Sequence, residues 1–164
     1  MKPSKPLTRS EVMSRIRGKD TRLEVRLRTA LHAKGFRYRL HDKRLPGKPD
    51  LVFPGRKAVV FIHGCFWHGH DCHLFKLPKT NSEFWSEKIA ANRSRDRDHL
   101  SRLTASGWNC LVVWECAVRG KDQQSFERVI DTLADWLNEC GKVNGGTAPS
   151  ATRAIGGVTE VQGQ

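Results

Sequence analysis

Four histidines and two cysteines stand within eleven residues, His63-Gly64-Cys65-Phe66-Trp67-His68-Gly69-His70-Asp71-Cys72-His73. Neither helical nor alternating periodicity runs through the stretch, so it folds as neither ordinary helix nor strand. Thiolates and imidazoles at this density are ligands for zinc, which is tetrahedral in structural sites. Gly64 and Gly69 free the backbone to wrap around an ion, and Cys65, His70 and Cys72 can converge within one tight loop. The fourth ligand comes from elsewhere. Cys116 follows an apolar run that could neighbour the loop in a sheet, and His73 is the local competitor. A loop of free thiols and surface histidines is the plain alternative, and the crowding of ligand atoms argues against it. Five cysteines, an odd number, with no secretory leader ahead of them, are a poor disulfide framework.

The elements around this loop follow from turn and cap residues. Ser10 can cap a short helix to Arg17, and Asp20 or Thr21 a second one with Leu23, Leu27, Ala30 and Leu31 at helical spacing before Gly35. Phe36 to Leu40 alternates as a half-buried strand. The turn Leu45-Pro46-Gly47-Lys48-Pro49 delivers Asp50 to the head of a strand, Leu51-Val52-Phe53, and Lys57 to Ile62 returns as a central apolar strand. A long polar helix is expected over Ser82–Ala105, a strand over Trp108–Glu115 and a helix over Ser125–Cys140. Phe126, Val129, Ile130, Leu133, Trp136 and Leu137 form the buried stripe of that last helix. Residues 1–19 then make a basic arm with a short helix, 20–140 one α/β domain with a mixed central sheet flanked by helices, and 141–164 a flexible tail. The longest apolar runs, Ala58–Ile62 and Leu111–Trp114, are too short to span a bilayer, and a cytoplasmic protein is expected.

Charge points to the partner. Of 29 Lys/Arg, 17 lie in residues 1–57 beside only five acids, whereas residues 58–164 hold 12 of each sign; the formal net charge of +12 therefore belongs to the first third. A concentrated basic surface attracts phosphates and releases their counterions, which makes nucleic acid the leading partner. A merely solubilising face is the bland alternative. An anionic membrane surface lacks the amphipathic basic helix it needs.

Asp50 is the second chemical feature. A Pro-Asp at a strand head, followed by a turn and an apolar strand, is the layout in which Mg²⁺-dependent nucleases hold a catalytic carboxylate, although Pro-Asp more often only caps a turn. The acid-x-Lys usual on the next strand is missing. His63 and His68 stand at that strand's end instead, placed to position or deprotonate a water or to protonate a leaving oxygen. Phe66, Trp67 and Trp85 are large apolar groups near the metal loop, suited to insertion between stacked bases. Trp108, Trp114 and Trp136 read as core.

Four runs, Leu45-Pro46-Gly47-Lys48-Pro49-Asp50, Phe61-Ile62-His63-Gly64-Cys65-Phe66-Trp67-His68, Glu83-Phe84-Trp85 and Val113-Trp114-Glu115-Cys116, closely resemble the very-short-patch repair (Vsr) DNA mismatch endonucleases. The likeness covers roughly Ser10 to Glu139. It implies a restriction-endonuclease-like core, a structural zinc and a Mg²⁺-dependent nick 5′ of the thymine in a T·G mismatch left by deaminated 5-methylcytosine. By position it makes Asp50 and the backbone carbonyl of Ile62 ligands of Mg²⁺, with His63 and His68 acting at the scissile phosphate and His68 as general base. It makes Glu24 an active-site acid orienting one of those histidines. Cys65, His70, Cys72 and Cys116 fall on the zinc positions, favouring Cys116 over His73. Phe66, Trp67 and Trp85 match an aromatic wedge, Met13 a residue inserted from the opposite groove, and Lys88 and Asn92 contacts to the mismatched pair. Ile62 replaces a frequent Thr, and Gly69 and Asp71 interrupt what can be a longer His run. The implied partners are mismatched double-stranded DNA, mismatch-repair proteins and a cytosine-5 methyltransferase, with the enzyme a monomer. Two other readings stay open: a nicking endonuclease of the same chemistry on another target, and a zinc-stabilised DNA-binding module without catalysis.

Overall fold

The computed structural model describes residues 11–12, 20–119, 123–142 and 152–156. Glu11 and Val12 are helical; Met13, with most of the short helix expected around it, lies outside the described residues.

The first complete helix, α1 (Arg22–Ala33), starts at Thr21, whose hydroxyl accepts from the Glu24 N–H at 3.3 Å. Glu24 answers from the third helical position: its carboxylate accepts from the Thr21 hydroxyl at 3.0 Å and from the Asp20 N–H at 2.9 Å. This variant of the capping box pins a carboxylate that is only 7% exposed. Leu27 and Leu31, one turn apart, face the core.

Five strands follow in spatial order: β1 (Arg39–Leu40), β2 (Leu51–Phe53), β3 (Ala58–His63), β4 (Asn109–Trp114) and β5 (Thr152–Ile155). Pairing is antiparallel between β1, β2 and β3 and parallel between β3, β4 and β5, so the sheet is mixed. Helix α2 (Ser82–Ala105) carries the chain from β3 to β4. The one-turn α3 (Glu115–Val118) and the long α4 (Gln123–Lys142) follow β4, and Cys116 therefore sits in a helical turn directly after the strand.

Both faces of the sheet are covered. On one, Leu51, Phe53, Val60, Leu111 and Val113 pack with Leu27 and Leu31 of α1 and with Ile130, Leu133 and Leu137 of α4. On the other, Val52, Val59, Phe61 and Val112 pack with Leu103 of α2. Burial on both sides explains why β3 reads as an unbroken apolar run. Trp136 belongs to the first core, while Trp108 and Trp114 are partly buried against the second.

The end of the chain differs from expectation. Thr152–Ile155, within the segment read as a flexible tail, pairs with β4 as an edge strand, and α4 extends two residues beyond its expected end. The strand carries one residue, Ile155, with a large apolar side chain, too little to register in a hydrophobic pattern. No helix among the described residues is long and apolar enough to cross a membrane.

Candidate active site and metal centre

The parallel register aligns His63 with Trp114, so two residues beyond the strand ends Cys65 and Cys116 meet. The Cys116 N–H donates to Cys65 Sγ at 3.3 Å, and Cys116 Sγ lies 3.5 Å from His70 Nδ1. The loop closes on itself through His70 N–H to the Cys65 carbonyl at 2.9 Å and His68 N–H to the Gly64 carbonyl at 3.2 Å. Gly69 turns it at φ +61°, where an added Cβ would lie 2.6 Å from Ile89. One ligand atom each of Cys65, His70, Cys72 and Cys116 lies within 4.8 Å of the other three. This is a Cys₃His set of the kind zinc selects, and His73 is not part of it. Burial pushes the Cys65 thiol well above the usual range and raises Cys116 too. A divalent ion would reverse that by stabilising thiolates. His70 is held below its ordinary value by burial, opposed by a hydrogen bond to the Gly156 backbone just after β5, and its ring stacks on Trp114 at 4.2 Å.

On the other side of the β3 terminus lies a cleft of about 820 Å³. Asp50, delivered by the Pro49 turn to the head of β2, aims Oδ2 at the Ile62 N–H, 2.7 Å away. The register of β2 on β3 extends to place Pro49 opposite Ile62. Proline has no N–H, so the Ile62 carbonyl loses that ladder donor on the side where Asp50 stands. A carboxylate and a carbonyl side by side form an oxygen pair of the kind Mg²⁺ takes. Burial, and then the Glu24 charge, push the Asp50 carboxyl up to about 6 against the Ile62 hydrogen bond and the charges of His41 and His68.

Facing Asp50 across the cleft are two imidazoles stacked at 3.8 Å with their planes 2° apart, His63 and His68. His63 is 6% exposed; burial and then the charge of His68 drive it down to about 3, so it stays neutral. His68 Nδ1 meets Asp96 Oδ2 of α2 at 2.5 Å. With Nδ1 engaged by that carboxylate, Nε2 is the nitrogen left to accept a proton. Burial works against ionisation of Asp96, but its hydrogen bond to His68 and the nearby His63 and His99 bring the net shift below the usual carboxylate value.

Sequence reasoning passed over Asp96, His41 and His99, all of which line the cleft. Lys88, Asn92, Asp96 and His99 recur at helical spacing along one face of α2, and that period was the available signal. The structure gives Glu24 a different neighbour from the one expected: the imidazole within ion-pair reach is His41, at 3.9 Å.

The aromatic cluster joins the Cys/His loop, through Phe66 and Trp67, to Trp85 of α2. Trp67 and Trp85 are half-buried with ring centroids 5.9 Å apart, and Lys88 Nζ lies 5.8 Å from both rings. Phe66 is buried beneath them, packed on Trp67, Trp85 and Phe75. Phe84, 54% exposed, is the aromatic most open to solvent. Asn92 is engaged internally, donating to the Trp67 carbonyl at 2.8 Å.

A strand-head carboxylate, a carbonyl facing a proline across the ladder and an imidazole braced by a second carboxylate, gathered in a strongly basic chain, have the makings of a hydrolytic nuclease site. A model of the family described as DNA mismatch endonuclease Vsr matches residues 3–74. The chain is 45% identical to the DNA mismatch endonuclease Vsr of Escherichia coli (strain K12) over 148 residues, 90% of this chain and 92% of that protein. It is 51% identical over 111 residues to the type II nicking enzyme V.XorIIP of Xanthomonas oryzae pv. oryzae, covering 68% and 82% of the two chains. To the type II nicking enzyme V.NmeAIP of Neisseria meningitidis serogroup A it is 50% identical over 129 residues, 77% and 92% of the two. The chain belongs to the Vsr family of DNA endonucleases.

Proposed function

We propose that this chain is a Mg²⁺-dependent, strand-specific endonuclease that nicks 5′ of the thymine in T·G mismatches arising from deaminated 5-methylcytosine, with a structural zinc at Cys65, His70, Cys72 and Cys116. The observation that carries the reading is the meeting of Asp50, His63 and His68 around one cleft at the strand ends. Asp50 and the Ile62 carbonyl would hold the magnesium, which when bound stabilises charge on the phosphoryl and leaving oxygens and acidifies water.

The chain's own residues then divide the work. Asp96 fixes the tautomer and direction of His68, whose Nε2 takes the proton of the attacking water as its oxygen bonds to phosphorus. The P–O3′ bond breaks with its electron pair on O3′, which takes a proton from solvent water, leaving a 3′-hydroxyl and a 5′-phosphate. His63, neutral and buried, keeps the His68 ring stacked in place. Lys43, Lys48 and Arg95 at the cleft margin draw in the phosphate backbone. Trp67 and Trp85, on a base formed by Phe66, would wedge beside the mismatch, with Lys88 and Asn92 near the pair and Met13 approaching from the opposite groove. A wobble pair unstacks at lower cost than a Watson–Crick pair, which favours entry there. A single site cutting one strand needs only a monomer. The setting would be the cytoplasm, with mismatch-repair proteins and a cytosine-5 methyltransferase as functional partners.

Relatives named type II nicking enzymes favour a second reading, a restriction-type or structure-selective nicking endonuclease of the same chemistry on a different target. Cleavage of matched, T·G-mismatched and methylated duplexes in varied contexts separates the two. Equal cutting of matched and mismatched DNA would remove the repair reading.

A further inference from the structure

One ring stands between the two carboxylates on this side of the cleft. His41 Nδ1 is 3.7 Å from Asp50 Oδ1, and Nε2 is 3.9 Å from Glu24 Oε2. Nε2 is buried and has no hydrogen-bond partner among the described residues. The backbone commits the residue to this place: His41 holds φ +46°, a left-handed conformation that costs a non-glycine residue energy, and its N–H reaches the Asp50 carbonyl at 3.4 Å. Behind it, Glu24 is immobilised by the cap of α1. Asp50 thus has one oxygen fixed by the Ile62 N–H and the other facing a ring whose far side faces an anchored carboxylate.

We infer that His41 is a positioning residue, an imidazole strut that transmits the fixed position of Glu24 to Asp50 Oδ1 and so holds the Asp50 carboxylate in the orientation that receives the cation. The inference rests on the proposed role of Asp50 and extends it. Outer partners of this kind orient metal-binding carboxylates, and their loss typically costs about 10- to 100-fold in metal affinity or activity. It also gives Glu24 a task that needs no contact with substrate: it braces the strut.

The test uses the full zinc-loaded chain and Mn²⁺ as probe, with binding read from loss of the free-ion EPR signal. Asp50→Asn defines the background. His41→Ala should weaken the Asp50-dependent Mn²⁺ site by about tenfold and raise the Mg²⁺ requirement for nicking by a similar factor, with melting temperature and DNA affinity unchanged. His41→Asn, whose amide nitrogen can stand where Nδ1 does, should recover most of the lost affinity. Unaltered Mn²⁺ affinity in His41→Ala would overturn the strut. So would equal losses in the Ala and Asn variants that track falling melting temperatures, or a wild type with no Asp50-dependent Mn²⁺ site. If the wild type binds Mn²⁺ through Asp50 but nicks no T·G duplex, the target reading fails while the comparison of His41 variants still decides this one.

Discussion

Replacing Asp50 by Asn should make the metal-free protein more stable while destroying its activity. In the folded chain burial, with the Glu24 charge added, lifts the Asp50 carboxyl from 3.8 to about 6, whereas in the unfolded chain it titrates at its ordinary value. The folded state therefore binds this proton more tightly. Its contribution to stability is complete below pH 4, is lost as pH rises from 4 to 6, and stays lost above. Two pH units of separation correspond to about 3 kcal/mol, a ceiling that partial solvent access to the side chain, 18% exposed, brings down to about 1–3 kcal/mol. Asn keeps an acceptor for the Ile62 N–H and removes the charge. For a chain of this size, about 2–4 °C per kcal/mol translates the gain into a melting temperature roughly 2–12 °C higher at pH 7.5 without divalent ions. The gap should close by pH 4, and saturating Mg²⁺ should raise the melting point of the wild type but not of the variant. Circular-dichroism melts across pH, with and without Mg²⁺, read all three. A variant less stable than wild type at pH 7.5, or a gap that ignores pH, would refute the reasoning.

Other outcomes follow from the same geometry. Cys72→Ser removes one of the four proposed zinc ligands, so zinc content should fall and the melting temperature with it; full zinc and normal melting would contradict a structural metal. Asp96→Asn leaves His68 without its carboxylate brace and should lower single-turnover nicking by about 100-fold or more, within the range of general-base catalysis, with DNA affinity preserved. Gly156→Val forces a side chain into a φ +106° position where Cβ would lie 2.9 Å from Ala117 Cβ. That should release β5 and speed zinc loss to a chelator, because the Gly156 backbone bonds His70. Unchanged release would mean the edge strand does not support the metal centre.

What could be read from the sequence divides along physical lines. The Pro49-Asp50 turn, the β3 run and the His63–His73 loop are local, and local chemistry states their roles. Cys116 was reachable because a parallel β3–β4 pairing brings the residues after both strands together. β5 was missed because a short edge strand with three exposed residues carries almost no apolar pattern. β1, expected over Phe36–Leu40, is limited to Arg39–Leu40, while Phe36 and Tyr38 pack against the core ahead of it. Asp96 hid among the charges of a polar helix, where only its spacing from Asn92 marked it as inward-facing. His41 was invisible because its place depends on a left-handed turn and on two carboxylates that only the folded chain brings together. On α2, Ile89 and Leu103 are buried, whereas Phe84 is exposed.

Strand-resolved cleavage of an end-labelled T·G duplex under excess enzyme, started with Mg²⁺ and run for wild type beside Asp50→Asn, bears most directly on the account. A single Mg²⁺-dependent nick at the phosphate 5′ of the thymine, absent with EDTA and absent in the variant, is the expected result. Nicking by Asp50→Asn at the wild-type rate would contradict it.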